Sequence, residues 1–363
     1  MTGRIALLLG SLLFSLIILE LGARLLRGPE WLAHWPNLVT MHRAGSAMDV
    51  SRHTVHDDAL GFKPRPGARL INLARESGGI RQTKASHDAQ GLRVAPAGSP
   101  LAPPGPPILA AGDSFTYGAE VDDADTWPVA LQSILGQPVV NAGANGYGID
   151  QIVLRAEQVA RQIHPGAIVV GFIQDDLRRA EMSRVWGANK PYFDMAGEAL
   201  TLRNVPVPEP AGTQATLTFW QRLLGRSVLV QITMDALGLL DDWSLDYVRV
   251  HVSGEGGHIA CLLMQRLAAL GRQSEARVVV VALYDADAWR WRWLGLLARQ
   301  QRATAATLSC AARAGLATID TYDAFAQVID STGVDSLYHR WHPNAAGNRL
   351  IAELVATRLQ QAP

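Results

Sequence analysis

Two kinds of hydrophobic pattern divide the chain. From Ile5 to Leu19, IALLLGSLLFSLIIL, there is neither a charge nor a proline, and the apolar run continues past Glu20 to about Leu26. That is roughly the 20 residues a helix needs to cross a bilayer. A cleaved signal peptide calls for a shorter apolar core and a small-x-small site. The following LELGARLLRG offers no such site, so residues 1–27 are expected to form an uncleaved anchor. Glu20 falls near one end of the span, where a carboxylate reaches the interface instead of the costly centre. Arg4 flanks one end and Arg24 and Arg27 the other, so charge sets orientation only weakly. The orientation adopted puts the N-terminus in the cytoplasm and the body on the extracytoplasmic side of the membrane.

The second pattern begins at Ile108, where short β-rich apolar runs alternate with longer helical stretches. Strands are predicted at Ile108–Ala111, Val139–Asn141, Ala167–Ile173, Arg277–Leu283 and Ala317–Asp320. Helices are predicted at Trp127–Leu135, Ile149–Gln162, Gly257–Ala269, Ala288–Ala314 and Ala345–Leu359. Uniformly apolar strands such as AIVVGFI and RVVVVAL, alternating with helices, require a parallel sheet covered on both faces. The expected fold is therefore a three-layer α/β/α sandwich of flavodoxin-like type behind one transmembrane helix. The span 28–106, irregular and closed by the run SPLAPPGPP at Ser99–Pro107, reads as a stalk or cover segment. The remaining domain is 107–363, with an insertion at about 180–257. No fixed-period repeat suggests a solenoid.

Composition narrows the class. The 363 residues are 48% hydrophobic and 18% charged, which describes a folded chain with a sizeable core, and the formal charge is zero. With no run of like charge there is no footprint for nucleic acid. The two cysteines, Cys261 and Cys310, lack the spacing of a zinc site, and their pairing is left open. No metal or cofactor is called for.

In an open parallel sheet, ligands bind beyond the carboxyl ends of the strands. Candidate chemistry gathers at that edge. The first strand runs into GDSFTYG, placing Ser114 just past its end. By itself, a Ser there is as well explained as the cap of a helix. The second strand ends in NAGANGYG, Asn141–Gly148, whose glycines let backbone N–H groups approach an oxyanion. The third ends in GFIQDDLRR, Gly171–Arg179. Near the C-terminus, YHRWHPNAAGN puts His342 before Pro343 and a helix start. A nucleotide-binding reading fails, because the first strand–helix turn has no Gly-x-Gly-x-x-Gly and no phosphate-binding Lys.

Together, GDSFTYG, NAGANGYG and HPNAAG, in this order and each at a strand end, resemble the blocks of the SGNH or GDSL-type hydrolases. The resemblance runs from Pro107 to about Leu359, and LGFKPRPGA, Leu60–Ala68, is similar to the lead-in of membrane-anchored bacterial members. It implies Ser114 as nucleophile, His342 as general base, and the Ser114 and Gly146 N–H groups as oxyanion donors. Asp113, Asn145, Gln174 and Asp176 become candidates for substrate contact. Two positions depart from the family pattern. Where the family has the Asn of its third block, this chain has Asp175, and an ionised carboxylate there repels a developing oxyanion. Losing one donor costs about 2.7–4 kcal/mol, roughly 10²–10³ in rate. A one-residue shift offers Gln174 instead, and a protonated Asp175 beside Asp176 could also donate. The family's acid, three residues before the catalytic His, is replaced by His339; Asp335 is a possible substitute, and a Ser-His dyad the conservative reading.

The resulting expectation is a membrane-anchored serine esterase acting on O-acyl groups of envelope or secreted glycans or on other small esters. Two alternatives share the site: an O-acyltransferase, and a non-catalytic glycan-binding or assembly component in which the site has decayed. The insertion is expected to cover the sheet edge and set substrate choice. Within it, Tyr192 and Phe193 are candidates for sugar stacking, with packing as the alternative. In WRWRW, Trp289 and Trp293 share a helical face with Leu296 and Leu297 and read as core, leaving Trp291 to face membrane or glycan.

Overall fold

The computed structural model describes residues 2–76, 79–96, 105–209, 217–237 and 239–361. Most of the run Ser99–Pro107, and Pro210 at the end of NVPVPEP, lie outside these residues. The chain divides into two compact units: one of residues 1–52, 184–188 and 210–248, the other of 53–183, 189–209 and 249–363. The inserted stretch at 180–257 is thus shared between units, its middle portion grouping with the N-terminal helix.

The larger unit is built on five parallel strands: β1 (Ile108–Ala111), β2 (Val139–Asn141), β3 (Ala167–Phe172), β4 (Arg277–Ala282) and β5 (Ala317–Asp320). Their order is β5-β4-β3-β1-β2. The side-chain period of two sorts each strand between the faces. Ile108, Ala110, Val169, Val279 and Val281 join one core with Trp127 and Leu131 of the helix Trp127–Leu135 and with Ile351 and Val355 of the helix Ala345–Gln360. The helices Ile149–Ile163 and Gly256–Gln273 pack against β1, β3 and β4 as well as each other. A disulfide between Cys261 and Cys310 ties Gly256–Gln273 to the helix Leu296–Arg313. The order reverses between β1 and β3, which is where a doubly wound sheet opens a crevice.

Three expectations on elements are corrected. The segment before β1 is not irregular: it forms the hairpins Thr54–Asp57 with Gly61–Pro64 and Arg69–Glu76 with Gly79–Ser86. Its polar residues hide the strand period, because both hairpins are short or solvent-facing. The long helix predicted at Ala288–Ala314 is broken into Ala286–Arg290, a turn at Arg292–Leu294 and Leu296–Arg313, with Gly295 left-handed at the break. Trp289 is buried and stacks on Tyr322, whereas Trp293 is exposed and edge-on to Trp291. A further helix, Tyr322–Thr332, follows β5.

In the smaller unit the N-terminal helix runs Thr2–Arg27, and its segment Leu7–Leu26 has a mean hydropathy of 1.9, long and apolar enough to span a membrane. A cluster of Ala23, Leu38 and Val228, with Trp31 against it, forms the unit's small core.

Candidate active site

The turn that carries Ser114 is set by steric limits. β1 ends at Ala111, and a side chain at Gly112 would meet Thr116 Oγ1 at 2.1 Å and the Gly171 carbonyl at 2.8 Å, so the turn demands glycine. Asp113 caps the short helix Ser114–Tyr117, its carboxylate accepting from Phe115 N–H at 2.9 Å. The glycine-rich turn after β2 lies directly on it. Ala144 N–H donates to the Gly112 carbonyl at 3.0 Å, and a Cβ on Gly143 would be 2.2 Å from Tyr117 N. Gly146 takes φ 79° and Asn145 is partly buried, its Oδ1 lacking a hydrogen-bond partner among the described residues.

His342 Nε2 stands 2.9 Å from Ser114 Oγ, and the ring lies edge-on to Phe115 with centroids 5.2 Å apart. Its other nitrogen, Nδ1, meets Glu120 Oε2 at 3.1 Å. The same carboxylate oxygen accepts the backbone N–H groups of His342 at 3.1 Å and Trp341 at 3.3 Å. Glu120 is buried, and burial pushes its carboxyl pKa up. The hydrogen bonds and charge of His342 with the Trp341 N–H outweigh that, holding it below the ordinary value. A buried carboxylate kept ionised against the imidazole Nδ1 fixes the tautomer that leaves Nε2 free to take a proton from Ser114.

The carboxylate that meets His342 is therefore neither residue singled out from the sequence. Asp335 is exposed and pairs with Arg290 at 2.8 Å. The His339 N–H donates to the His342 carbonyl at 2.9 Å, closing the turn, while its own carbonyl accepts from Arg290. The two-member arrangement gives way to Ser-His-Glu geometry. No local pattern marks Glu120: it sits six residues past Ser114 in a non-repeating turn, at φ 67°. The signal available was indirect, in that a missing acid at 339 directs a search to carboxylates on the other strand-end turns.

That turn is braced from the segment preceding β1. Arg93, buried, pairs with Asp123 at 3.0 Å and donates to the carbonyls of Tyr117, Gly118, Val121 and Lys84. His87 Nε2 meets Tyr117 Oη at 2.9 Å. In LGFKPRPGA, the Leu60 carbonyl accepts from Gln151 and that of Phe62 from Tyr147 Oη, locking this segment to the start of the helix Ile149–Ile163. The segment 53–96 is thus hydrogen-bonded into the framework around Ser114.

The third block is an ion-pair cluster. Gln174, half-buried, opens the helix Gln174–Arg179. Asp175 is held by Arg178 at 2.7 Å and Arg179 at 2.5 Å. Burial raises its pKa, but the two guanidiniums prevail and bring it down to about 2. Asp175 is thus ionised at neutral pH, and the expectation of a protonated donor is corrected. Arg179 also meets Asp176 at 2.7 Å and lies 3.9 Å from Asp113. Burial pushes Asp113 up, and Asp176 further still because the charge of Asp113 adds to its own burial; Arg179 opposes both. Asp176 accepts from Ile173 N–H at 2.9 Å, which makes it a helix-capping group. Phe193 is fully buried with Arg266 over its ring at 5.3 Å, and Tyr192 stacks edge-on with His251, so both serve packing instead of presenting a sugar platform. Lys190 and Asp150, both fully buried, form an ion pair whose ammonium also donates to the Arg179 and Met182 carbonyls.

A doubly wound sheet with a serine after β1, a glycine turn after β2 and a histidine ahead of the last helix is an arrangement suited to acyl transfer. The model of the GDSL-like lipase/acylhydrolase family matches residues 110–350, and the chain belongs to that family. Among solved structures, an alpha/beta hydrolase enzyme from the metagenome of Lake Arreo, Spain, is similar at 16% identity and TM-score 0.44, over 71% of this chain and 97% of its own. A catalytic mutant of an acetylxylan esterase from Geobacillus stearothermophilus is similar at 14% identity and TM-score 0.43, over 71% and 95%. No curated protein matches the sequence significantly.

Proposed function

We propose that the protein is a membrane-anchored serine esterase with a Ser114-His342-Glu120 relay. The observation that carries this is the pair of contacts on one imidazole, 2.9 Å to Ser114 Oγ and 3.1 Å to Glu120 Oε2. Ser114 Oγ attacks an ester carbonyl while His342 Nε2 takes its proton, and Glu120 faces the imidazolium. The oxyanion is received by the N–H groups of Ser114 and Gly146, with the Gln174 amide as the third-block donor in place of Asp175. The tetrahedral intermediate collapses as His342 returns the proton to the leaving alcohol. Water, activated by the same base, then releases the acid. An ionised acid on His342 favours catalysis over a decayed binding site, because the carboxylate that braces the turn through the Trp341 and His342 N–H groups also meets the imidazole Nδ1 on the side away from Ser114.

The apolar helix Thr2–Arg27 supports anchoring, and the Cys261–Cys310 disulfide supports an oxidising compartment outside the cytoplasm. From location and family we take O-acyl groups of envelope or secreted glycans as the substrate class. The test is fluorophosphonate labelling of the protein alongside hydrolysis of an aryl acetate. The expected outcome is labelling that vanishes in Ser114→Ala and falls sharply in His342→Ala. A well-folded wild type that neither labels nor turns over the ester would overturn the reading. Release of free acid distinguishes hydrolysis from transfer to a sugar hydroxyl.

A further inference from the structure

We infer that the inserted helices at 219–237 lie in the membrane interface beside the N-terminal helix, forming a lipid-contacting collar; this rests on the reading of Leu7–Leu26 as a membrane span. The argument is one of depth. Glu20 sits inside that span, six residues before its end at Leu26, and a helix rises about 1.5 Å per residue, so its carboxylate lies about 9 Å from the end of the apolar segment. That carboxylate is fully engaged with the insertion. Glu20 Oε1 accepts from Val228 N–H and Oε2 from Leu229 N–H, each at 2.9 Å, and Ser227 Oγ donates to Oε2 at 2.7 Å. The first turn of the helix Val228–Ala236 is therefore fixed at the level of Glu20. Arg24, fully buried, supplies the counter-charge at 2.7 Å. It also donates to the carbonyls of Trp31, His34 and Arg226 and stacks on Trp35 at 3.4 Å. A carboxylate with its charge and lone pairs satisfied in this way tolerates an interfacial depth that would expel a free one.

The surfaces held there have lipid chemistry. Phe219 is 65% exposed, Trp220 60%, Leu223 57% and Leu237 64%. An aromatic pair with neighbouring leucines on a short helix is the composition of an interfacial element, and the exposed Arg222 beside them suits anionic headgroups. The occupant is the bilayer itself, because the contacts that present these side chains are made to a segment inside the proposed span.

The experiment uses the full chain in phosphatidylcholine–phosphatidylglycerol vesicles. Its native cysteines are paired, so a single added cysteine accepts an environment-sensitive fluorophore, and lipids spin-labelled on the acyl chain act as quenchers. Leu13→Cys reports on the span, Leu223→Cys and Leu237→Cys on the collar, and Arg349→Cys on an exposed helix of the larger unit. The expected result is clear lipid quenching at 223 and 237, weaker than that at the deeper position 13, with none at 349. Quenching at 13 but not at 223 or 237 would overturn the collar and leave the anchor standing. Absence of quenching at 13 would overturn both. Quenching at 349 equal to that at 223 would overturn the collar by showing contact that is not specific to it.

Discussion

Replacing Glu120 by glutamine tests the relay at its least expected member. Gln keeps the length of the side chain and one acceptor oxygen but removes the charge that meets His342. When His342 takes the Ser114 proton, an imidazolium forms opposite Glu120 Oε2 at 3.1 Å. At an effective dielectric of about 20, a charge pair at that distance is worth roughly 5 kcal/mol, and little of it is screened because the carboxylate is buried. At about 1.4 kcal/mol per tenfold, the kcat of Glu120→Gln should fall by about 10³ to 10⁴, the upper end of which matches the loss of about 10⁴ when a triad aspartate is replaced by asparagine. The assay is steady-state hydrolysis of an aryl acetate with circular dichroism to confirm folding, and with KM separated from kcat. Because the lost interaction strengthens only in the transition state, KM should hardly move. A folded Glu120→Gln with kcat within tenfold of wild type would refute the assignment and return the site to a Ser-His pair.

Further expectations follow from buried charges and cross-links. Lys190→Met leaves Asp150 desolvated and alone and should cost about 3–5 kcal/mol in urea unfolding, whereas the double variant with Asp150→Leu should recover most of it. Asp175 has its folded pKa depressed from 3.8 to about 2. The stability it adds is fully present above its unfolded value and is lost as the pH falls through the folded one. That contribution is about 1–2 kcal/mol after allowance for partial exposure, and Asp175→Asn should remove this part of the acid-induced loss between about pH 4 and pH 2. Replacing Cys261 and Cys310 together by Ser opens a loop spanning 49 residues. On the chain-entropy account this should cost up to about 4 kcal/mol while leaving the fluorophosphonate reactivity of Ser114 unchanged. Arg93→Met, which strips the carbonyls of Tyr117, Gly118 and Val121 of their donor, should lower both thermal stability and kcat, the second through the misplacement of Glu120.

The parallel sheet, its strand positions, the apolar N-terminal helix and the placing of Ser114, Gly146 and His342 at one edge were all legible along the chain. Each rests on a local or periodic signal: uniformly apolar runs, glycines where the backbone must come close, a serine and a histidine at strand and helix ends. Groups whose environment depends on partners far away in sequence were legible only after folding. Glu120 meets His342 because the turn after Ser114 folds back onto a residue 222 positions later. Asp175 is ionised because Arg178 and Arg179 lie against it, and Phe193 is core because a helix from a distant segment covers it. The segment before β1 braces the site through Arg93, whose five acceptors are all remote from it in the chain or across a hairpin. A carboxylate's charge and a turn's position are set by neighbours through space, and periodicity along the chain carries no record of those.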